Sequence, residues 1–356
     1  MAYTTINDPS EYFHIQLYSG DGNTNRDITN DANAGDFKPD WIWTTSRSNA
    51  YNNGMFDSSR GVQKEISSNQ ANAEATLSGG VNSFDTDGFT FNGASYNTNG
   101  YTFVGWQWKA NGGTTSSNSD GDITSTVQAN TTAGFSIVTF TGNATAGQTV
   151  GHGLGVKPEF IYAKNRSNGN NWNCYVEATD NTGNNYLTLN GTVGKESDYN
   201  MWNDTAPTSS VITLGNRNET NGSSHNMVVY CFHSVKGYSK FGKYKGNATS
   251  GDDGTFVYTG FKPAWIMVKS SSNSGQEWVI FDNKRDTFNE MDAWLYANAT
   301  TAEDSGGDER EVDFVSNGFK FRNAGGPTSY SGRDYIYLAF AEHPFVSSEG
   351  VPVTAR

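Results

Sequence analysis

Residues 261–268 read FKPAWIMV, and the same signature stands at 37–43 as FKPDWIW and at 156–162 as VKPEFIY. Each copy has Lys-Pro, one variable residue, then alternating aromatic and aliphatic side chains. A proline fixes φ and donates no ladder hydrogen bond, so it belongs at the entry of a strand and not inside one. Each copy is therefore read as a strand opened by Pro39, Pro158 or Pro263 and carrying Trp41 and Trp43, Phe160, or Trp265. The chain is a threefold internal repeat.

The flanks repeat with the signature. Tyr18-Ser-Gly-Asp-Gly-Asn, Phe140-Thr-Gly-Asn-Ala-Thr and Tyr244-Lys-Gly-Asn-Ala-Thr lie upstream as turns that follow an aromatic. Downstream, Phe56-Asp-Ser-Ser-Arg60 returns as Phe281-Asp-Asn-Lys-Arg285, and Ser68-Asn-Gln-Ala-Asn-Ala-Glu74 as Ala297-Asn-Ala-Thr-Thr-Ala-Glu303. The stretch 83–91, SFDTDGFTF, matches 314–321, FVSNGFKF, and each unit closes on a hydrophobic strand, at 101–108, 226–232 and 334–340. Units one and three match best. The middle one has drifted.

The three prolines stand 119 and 105 residues apart, far beyond a solenoid or propeller-blade period and enough for each unit to own a core. The expected fold is all-β: three tandem jelly-roll-like, lectin-like β-sandwiches with little helix. Their spans are 1–109 with an N-terminal arm, a Gly/Ser/Thr/Asn-rich linker at 110–133, 134–238, 239–345, and a C-terminal tail at 346–356. The alternative is one pseudo-threefold body whose units exchange strands. If the units are autonomous, a fragment starting near Ser239 folds by itself.

Composition supports the fold class. Only 35% of residues are hydrophobic, but 13% are aromatic and 40 are Gly, which disfavours both disorder and helix and suits short strands joined by tight turns. The net charge of −13 makes nucleic acid an improbable partner. No segment approaches the length of a membrane helix, and no basic region precedes an apolar core near the N-terminus, so the expectation is a soluble chain without a cleaved export signal. Cys174 and Cys231 have no metal-ligand spacing, and as a pair in one unit they are either a disulfide or, more in keeping with a reducing cytosol, two buried thiols. Residues 288–296, with Phe288, Met291 and Leu295 on one face, are the single stretch with helical spacing.

Signatures of catalysis are missing. The histidines at 14, 152, 225, 233 and 343 form no metal-binding pair, and no nucleophile elbow or P-loop occurs. Gly151-His-Gly-Leu-Gly155 precedes a strand, which favours a tight turn over a phosphate cradle. Asp57 and Arg60 sit at a strand end and most simply pair across a turn. Oxygen-rich loops bring Asp21, Asp85, Asp87, Asp120, Asp122 and Asp252 forward as calcium ligands, although Asp, Asn and Gly are also what turns require; no other cofactor is expected. Trp41 with Trp43, and Trp106 with Trp108, share strand faces, either as an aromatic core or as an exposed sugar-stacking surface. The core is the simpler reading.

The opening AYTTINDPSEYF, the first unit's landmarks, WNDTAPTSSV, GYSKFGKYKGN, FVYTGFKPAWIMVK and the ending AFAEHPFVSSEGVPVTAR together resemble a family of virion structural proteins of tailed bacteriophages, mainly marine ones. The resemblance runs over essentially the whole chain. It implies a structural component of the virion and not its station on the particle; the acidity, the Gly- and Asn-rich loops and the lack of a nucleic-acid patch fit the exterior. The expectation is a non-enzymatic chain made in the host bacterial cytoplasm that contacts other virion proteins and associates with itself, with a host surface glycan as the further partner of an adhesion role. A tail-associated appendage, fibre or adhesion component is the leading expectation. A capsid decoration protein is the alternative, and a polysaccharide depolymerase the least supported.

Overall fold

The computed structural model describes residues 3–31, 37–249, 253–306, 310–323 and 325–353. The protein is all-β, and among the described residues helix is confined to Pro9–Glu11, Tyr199–Trp202 and Asn218–Asn221. Each repeat builds a large antiparallel sheet in one strand order: opening strand, closing strand, Lys-Pro strand, then the next two in chain order. In repeat one these are Phe13–Ser19, Thr102–Trp108, Trp41–Ser46, Gly54–Asp57 and Lys64–Ser67. In repeat two they are Phe135–Thr141, Asn226–Phe232, Phe160–Asn165, Asn173–Val176 and Asn185–Thr188. In repeat three they are Ser239–Lys245, Asp334–Pro344, Phe261–Ser270, Val279–Asp282 and Leu295–Tyr296. Pro39 and Pro158 precede their strands, and Pro263 sits at a register shift, where a missing N–H breaks no ladder.

A small sheet covers one face of each large sheet. Repeat one uses Arg26–Thr29, Gly88–Phe91 and Val81–Asp85; repeat three uses Phe256–Tyr258, Gly318–Phe321 and Val312–Val315; repeat two has only Thr149–Gly151 paired with Val211–Thr213. Gly88 and Gly318 occupy the same place in their hairpins. A Cβ on either would lie 2.0 Å from a carbonyl oxygen of the neighbouring strand, Ile28 or Val257. Only glycine lets that strand approach.

The opposite faces of the three large sheets meet in one shared core. Trp41 and Trp43, Phe160 and Tyr162, and Trp265 and Met267 all point into it, whereas Ile42, Ile161 and Ile266 point into the separate core of their own sandwich. The Lys-Pro strands are apolar on both faces because both faces are buried. Contacts cross every unit boundary: Trp41 stacks on Tyr230 with centroids 4.7 Å apart, Trp108 meets Phe340 edge-on at 5.6 Å, and Phe232 meets Phe340 at 6.1 Å. Trp41, Trp43, Trp106 and Trp108 are thus core residues and no sugar platform.

Several local expectations change. Residues 110–133, read as a linker, contain Ser116–Asn118 and Ser125–Asn130, which extend the second large sheet beyond its opening strand. Val127 anchors them by burial. No helix forms at 288–296: Met291 points into the third sandwich core, Leu295 into the shared core, and Phe288 into solvent, so the helical spacing serves three different surroundings. Cys174 and Cys231 are free thiols on opposite faces of one sheet, one in the shared core and one in the core of repeat two. The N-terminal arm folds back, with Ile6 in the shared core and Asn7 hydrogen-bonded to Ser348.

Among the described residues no strand crosses from one repeat's large sheet into another's, yet the largest core belongs to no single unit. A fragment of residues 239–345 would expose Trp265, Met267, Trp278, Ile280, Leu338 and Phe340, each worth on the order of 1.5–3 kcal/mol when buried. We expect this fragment to show no cooperative thermal transition and dispersed amide resonances to be lost. A folded, monomeric fragment would contradict the shared-core account.

Candidate functional site

The polar residues that the repeats place in register converge on the junctions between units. Asp57 pairs across its hairpin with Trp41, Val176 with Phe160 and Asp282 with Trp265, so these three positions are equivalent. At Asp57 the carboxylate accepts from the Arg60 backbone N–H at 2.8 Å, from Arg60 Nε, and from the Tyr230 hydroxyl of repeat two at 2.6 Å. At Asp282 it accepts from the Arg285 backbone N–H at 2.9 Å, from Arg285 Nε at 2.6 Å, and from the Trp106 indole of repeat one at 3.0 Å. Both ion pairs are fully buried.

Each arginine continues the chain of charges into the next unit. Arg60 Nη1 donates to Glu74 at 3.1 Å, and Glu74 is gripped at both oxygens by Arg166 of repeat two, at 2.8 and 2.9 Å. Arg285 Nη1 donates to Glu303 at 3.0 Å, and Arg47 of repeat one grips Glu303 at 2.9 and 2.8 Å. Bidentate Arg–carboxylate pairs fix orientation as well as charge. Burial works against the Arg60 charge, but Asp57, Tyr230 and Glu74 outweigh it and hold the guanidinium above its ordinary pKa. Burial likewise works against the Glu74 carboxylate, and Arg166 and Arg60 more than offset it, drawing its pKa down.

Backbone bonds run through all three junctions in the same sense. Glu74 N donates to Arg166 O at 2.9 Å, Lys195 N to Ser271 O at 2.7 Å, and Glu303 N to Arg47 O at 2.8 Å. The residue before the second hairpin strand adds a side-chain donor each time: Trp172 to Ser67 O at 2.9 Å, Trp278 to Thr188 O at 3.0 Å, and Asn53 to Ala297 O at 3.0 Å. Repeat two docks on one, three on two, and one on three. The three units close a ring through heterologous contacts, as a cyclic trimer would.

Two buried lysines sit in these junctions, with no carboxylate among the described residues in salt-bridge range. Lys164 Nζ donates to Ala71 O of repeat one at 2.8 Å and to Asn170 O, and Lys269 Nζ donates to Thr192 O of repeat two at 3.2 Å and to Ser270 O at 2.9 Å. Burial pushes the Lys164 ammonium down to about 7 and that of Lys269 to about 8, with Glu219 and Glu277 acting weakly the other way.

The calcium candidates do not converge. Asp21 is spent on the Asn23 N–H and the Asn97 amide, both at 2.9 Å, and Asp120 accepts from Asn118 at 2.9 Å. Asp122 accepts from the N–H and hydroxyl of Thr149 at 3.0 and 2.8 Å. Asp85 and Asp27 each stand 2.7 Å from the Thr90 hydroxyl, while Asp87 lies in the hairpin turn beside them. Asp252 lies outside the described residues. Among the described residues no three His, Cys, Asp or Glu side chains gather as a metal site. In the Gly-rich 151–155 segment, buried His152 takes the Leu154 N–H on Nδ1 and faces Thr208 O with Nε2, and burial lowers its pKa to about 4. The segment leaves the strand Thr149–Gly151 as irregular backbone, with Gly153 and Gly155 at positive φ.

A cleft of about 530 Å³ lies between repeats one and three, lined by Asp8, His14, Asp31, Lys284, Glu342 and His343 among others. Lys284 pairs with Asp31 at 2.9 Å, and His14 lies 3.9 Å from that carboxylate and 3.3 Å from Gln16. Burial lowers the His14 pKa against the pull of Gln16 and Asp31. The cleft offers a largely buried imidazole beside an ion pair, with room for a small polar ligand.

Sequence reasoning paired Asp57 with Arg60 and noticed that Glu74 and Glu303 recur, but it assigned those glutamates no role and missed Arg47, Arg166, Lys164, Lys269 and Asn53. The available signal was the position one past each Lys-Pro strand, occupied by Arg47 and Arg166 in register.

Fold and junctions define an all-β protein of three sandwich units closed into a ring. A family model described as Domain of unknown function (DUF7483) matches residues 8–344, and the chain belongs to that family. No curated protein and no solved structure matches it. Among the described residues no helix is long and apolar enough to cross a membrane.

Removing one partner of a buried pair leaves an uncompensated charge, so Asp57→Ala and Asp282→Ala should each cost about 3–5 kcal/mol in denaturant unfolding. Val176→Ala, at the equivalent position of repeat two, should cost no more than about 0.5–2 kcal/mol. The lysines give a pH signature. Their folded pKa values lie below the ordinary 10.5, so above about pH 7 the unfolded chain holds more protons and stability rises with pH; the penalty is fully present below pH 7. Titrating thiols oppose this near pH 9, so the window is about pH 7 to 8.5. Denaturant midpoints should climb across it, and Lys164→Met with Lys269→Met should flatten the climb; an unchanged slope would contradict the assignment.

Proposed function

We propose that this chain is a non-enzymatic structural protein on the exterior of a tailed-bacteriophage particle, a tail-associated appendage or adhesion component. Its motif-by-motif resemblance to virion structural proteins along the whole chain supports the class. The observation that carries the mechanical role is the closed ring, in which three covalently linked units share one aromatic core and latch through buried ion pairs. Linking the units in one chain makes closure independent of protein concentration, unlike a trimer of separate subunits. A body of this kind presents loops of three units to the outside while its strands stay committed to packing.

The pseudo-threefold arrangement supports a second reading, a decoration protein seated where three capsid subunits meet, because a ring of similar faces suits a threefold neighbour. Copy number separates the two. Quantitative mass spectrometry of purified particles should count this chain at a few copies to tens per particle, well below the major capsid protein. A ratio near one to a few shell subunits would overturn the tail assignment in favour of the head, and absence from particles would overturn both.

A further inference from the structure

The outer face of the third small sheet differs from its counterpart in the first. Val257 and Ile28 occupy equivalent, inward-facing positions, each opposite a buried phenylalanine, Phe319 or Phe89. The outward neighbours in repeat one are Asp27 and Thr29, as solubility requires. In repeat three they are Phe256 and Tyr258, 47% and 50% exposed on the same side of an edge strand. Tyr3 of the folded-back arm continues the strip, its hydroxyl 3.4 Å from that of Tyr258 and anchored on Gly260 O at 2.8 Å.

Cations rim these rings. Lys240 Nζ lies 5.3 Å from the Tyr258 ring centre and Lys236 Nζ 4.2 Å from that of Tyr3. Neither forms a salt bridge with a carboxylate among the described residues, whereas nearby Lys245, Lys262 and Lys320 each do. Lys240 also donates to Tyr258 O at 2.8 Å, which blunts the sheet edge. Edge protection accounts for that lysine but not for aromatic side chains where repeat one carries Asp and Thr. In a chain of net charge −13, two ammonium groups without carboxylate partners beside exposed rings mark a local site for an anion with an apolar face.

We propose that Phe256, Tyr258 and Tyr3, with Lys236 and Lys240, form a binding strip for an acidic polysaccharide. Pyranose C–H faces stack on the rings, and carboxylate or sulfate groups take the ammonium ions. The biological setting rests on the adhesion reading above, but binding by the purified chain stands or falls independently of copy number on the particle.

The test is titration calorimetry of the full chain with alginate, dextran sulfate and uncharged dextran at low and high salt. Binding to alginate, dextran sulfate or both is expected, weakening with salt, and dextran should not bind; which acidic polymer binds identifies the carboxylate or the sulfate as the recognised group. Phe256→Asp with Tyr258→Thr, the residues of repeat one, should weaken binding about tenfold or more without moving the melting temperature. Should that variant melt early, Lys236→Gln with Lys240→Gln serves instead and should weaken binding comparably and reduce its salt dependence. The proposal is overturned by absence of binding to both acidic polymers, by equal binding of dextran, or by full affinity in the folded variant. It is also overturned if sedimentation shows a wild-type dimer that the substitutions dissolve, since the strip would then be a contact between copies.

Discussion

Burial of one aromatic face from each of three sheets is the constraint on which the structure depends. A β-sheet with both faces apolar cannot stand alone in water, and each Lys-Pro strand is apolar on both. Its small sheet covers one face, and only the other two repeats can cover the second. Closure then sets the junction geometry, because the hairpin edge of each unit must reach its neighbour at the same place three times. Asn53, Trp172 and Trp278 do so with one hydrogen bond pattern despite their different side chains.

Repeat two shows how such junctions tolerate change. Where Asp57 and Asp282 stand, it has Val176, and where Glu74 and Glu303 stand, it has Lys195. The partners have changed with them: Leu338 occupies the position of the donors Tyr230 and Trp106, and Ser271 that of the gripping Arg47 and Arg166. A buried charge without its partner is costly, whereas an apolar set of similar volume costs little. The ionic latch is therefore kept whole at two junctions and absent as a whole at the third.

Much of this was legible in the sequence and some was not, for identifiable reasons. The Lys-Pro signatures, the closing strands and the Asp57–Arg60 pairing follow from local rules of proline, period-two alternation and turns. Which face of Trp41 and Trp43 is buried against what does not, because alternation places them on one face without saying whether a small sheet or another repeat lies there. Residues 116–118 and 125–130 read as linker because strands at the margin of a sheet need few apolar side chains. The 288–296 spacing misled since Met291 and Leu295 enter different cores. The oxygen-rich loops of Asp21, Asp120 and Asp122 share their chemistry with calcium sites, and only three-dimensional placement shows Asp21 and Asp122 reaching donors on distant segments, Asn97 and Thr149, while Asp120 takes the nearby Asn118 amide.

Outward-facing differences between repeats are where a specialised role is written, since the inward positions answer to packing alone. Phe256 and Tyr258 against Asp27 and Thr29 are the clearest such difference on the small sheets. The central claim, that three sandwiches form one cooperative body, is tested most directly by scanning calorimetry of the intact chain. The shared core requires a single transition whose van't Hoff and calorimetric enthalpies agree. Three resolved transitions, or a calorimetric enthalpy near three times the van't Hoff value, would show independent units and contradict it.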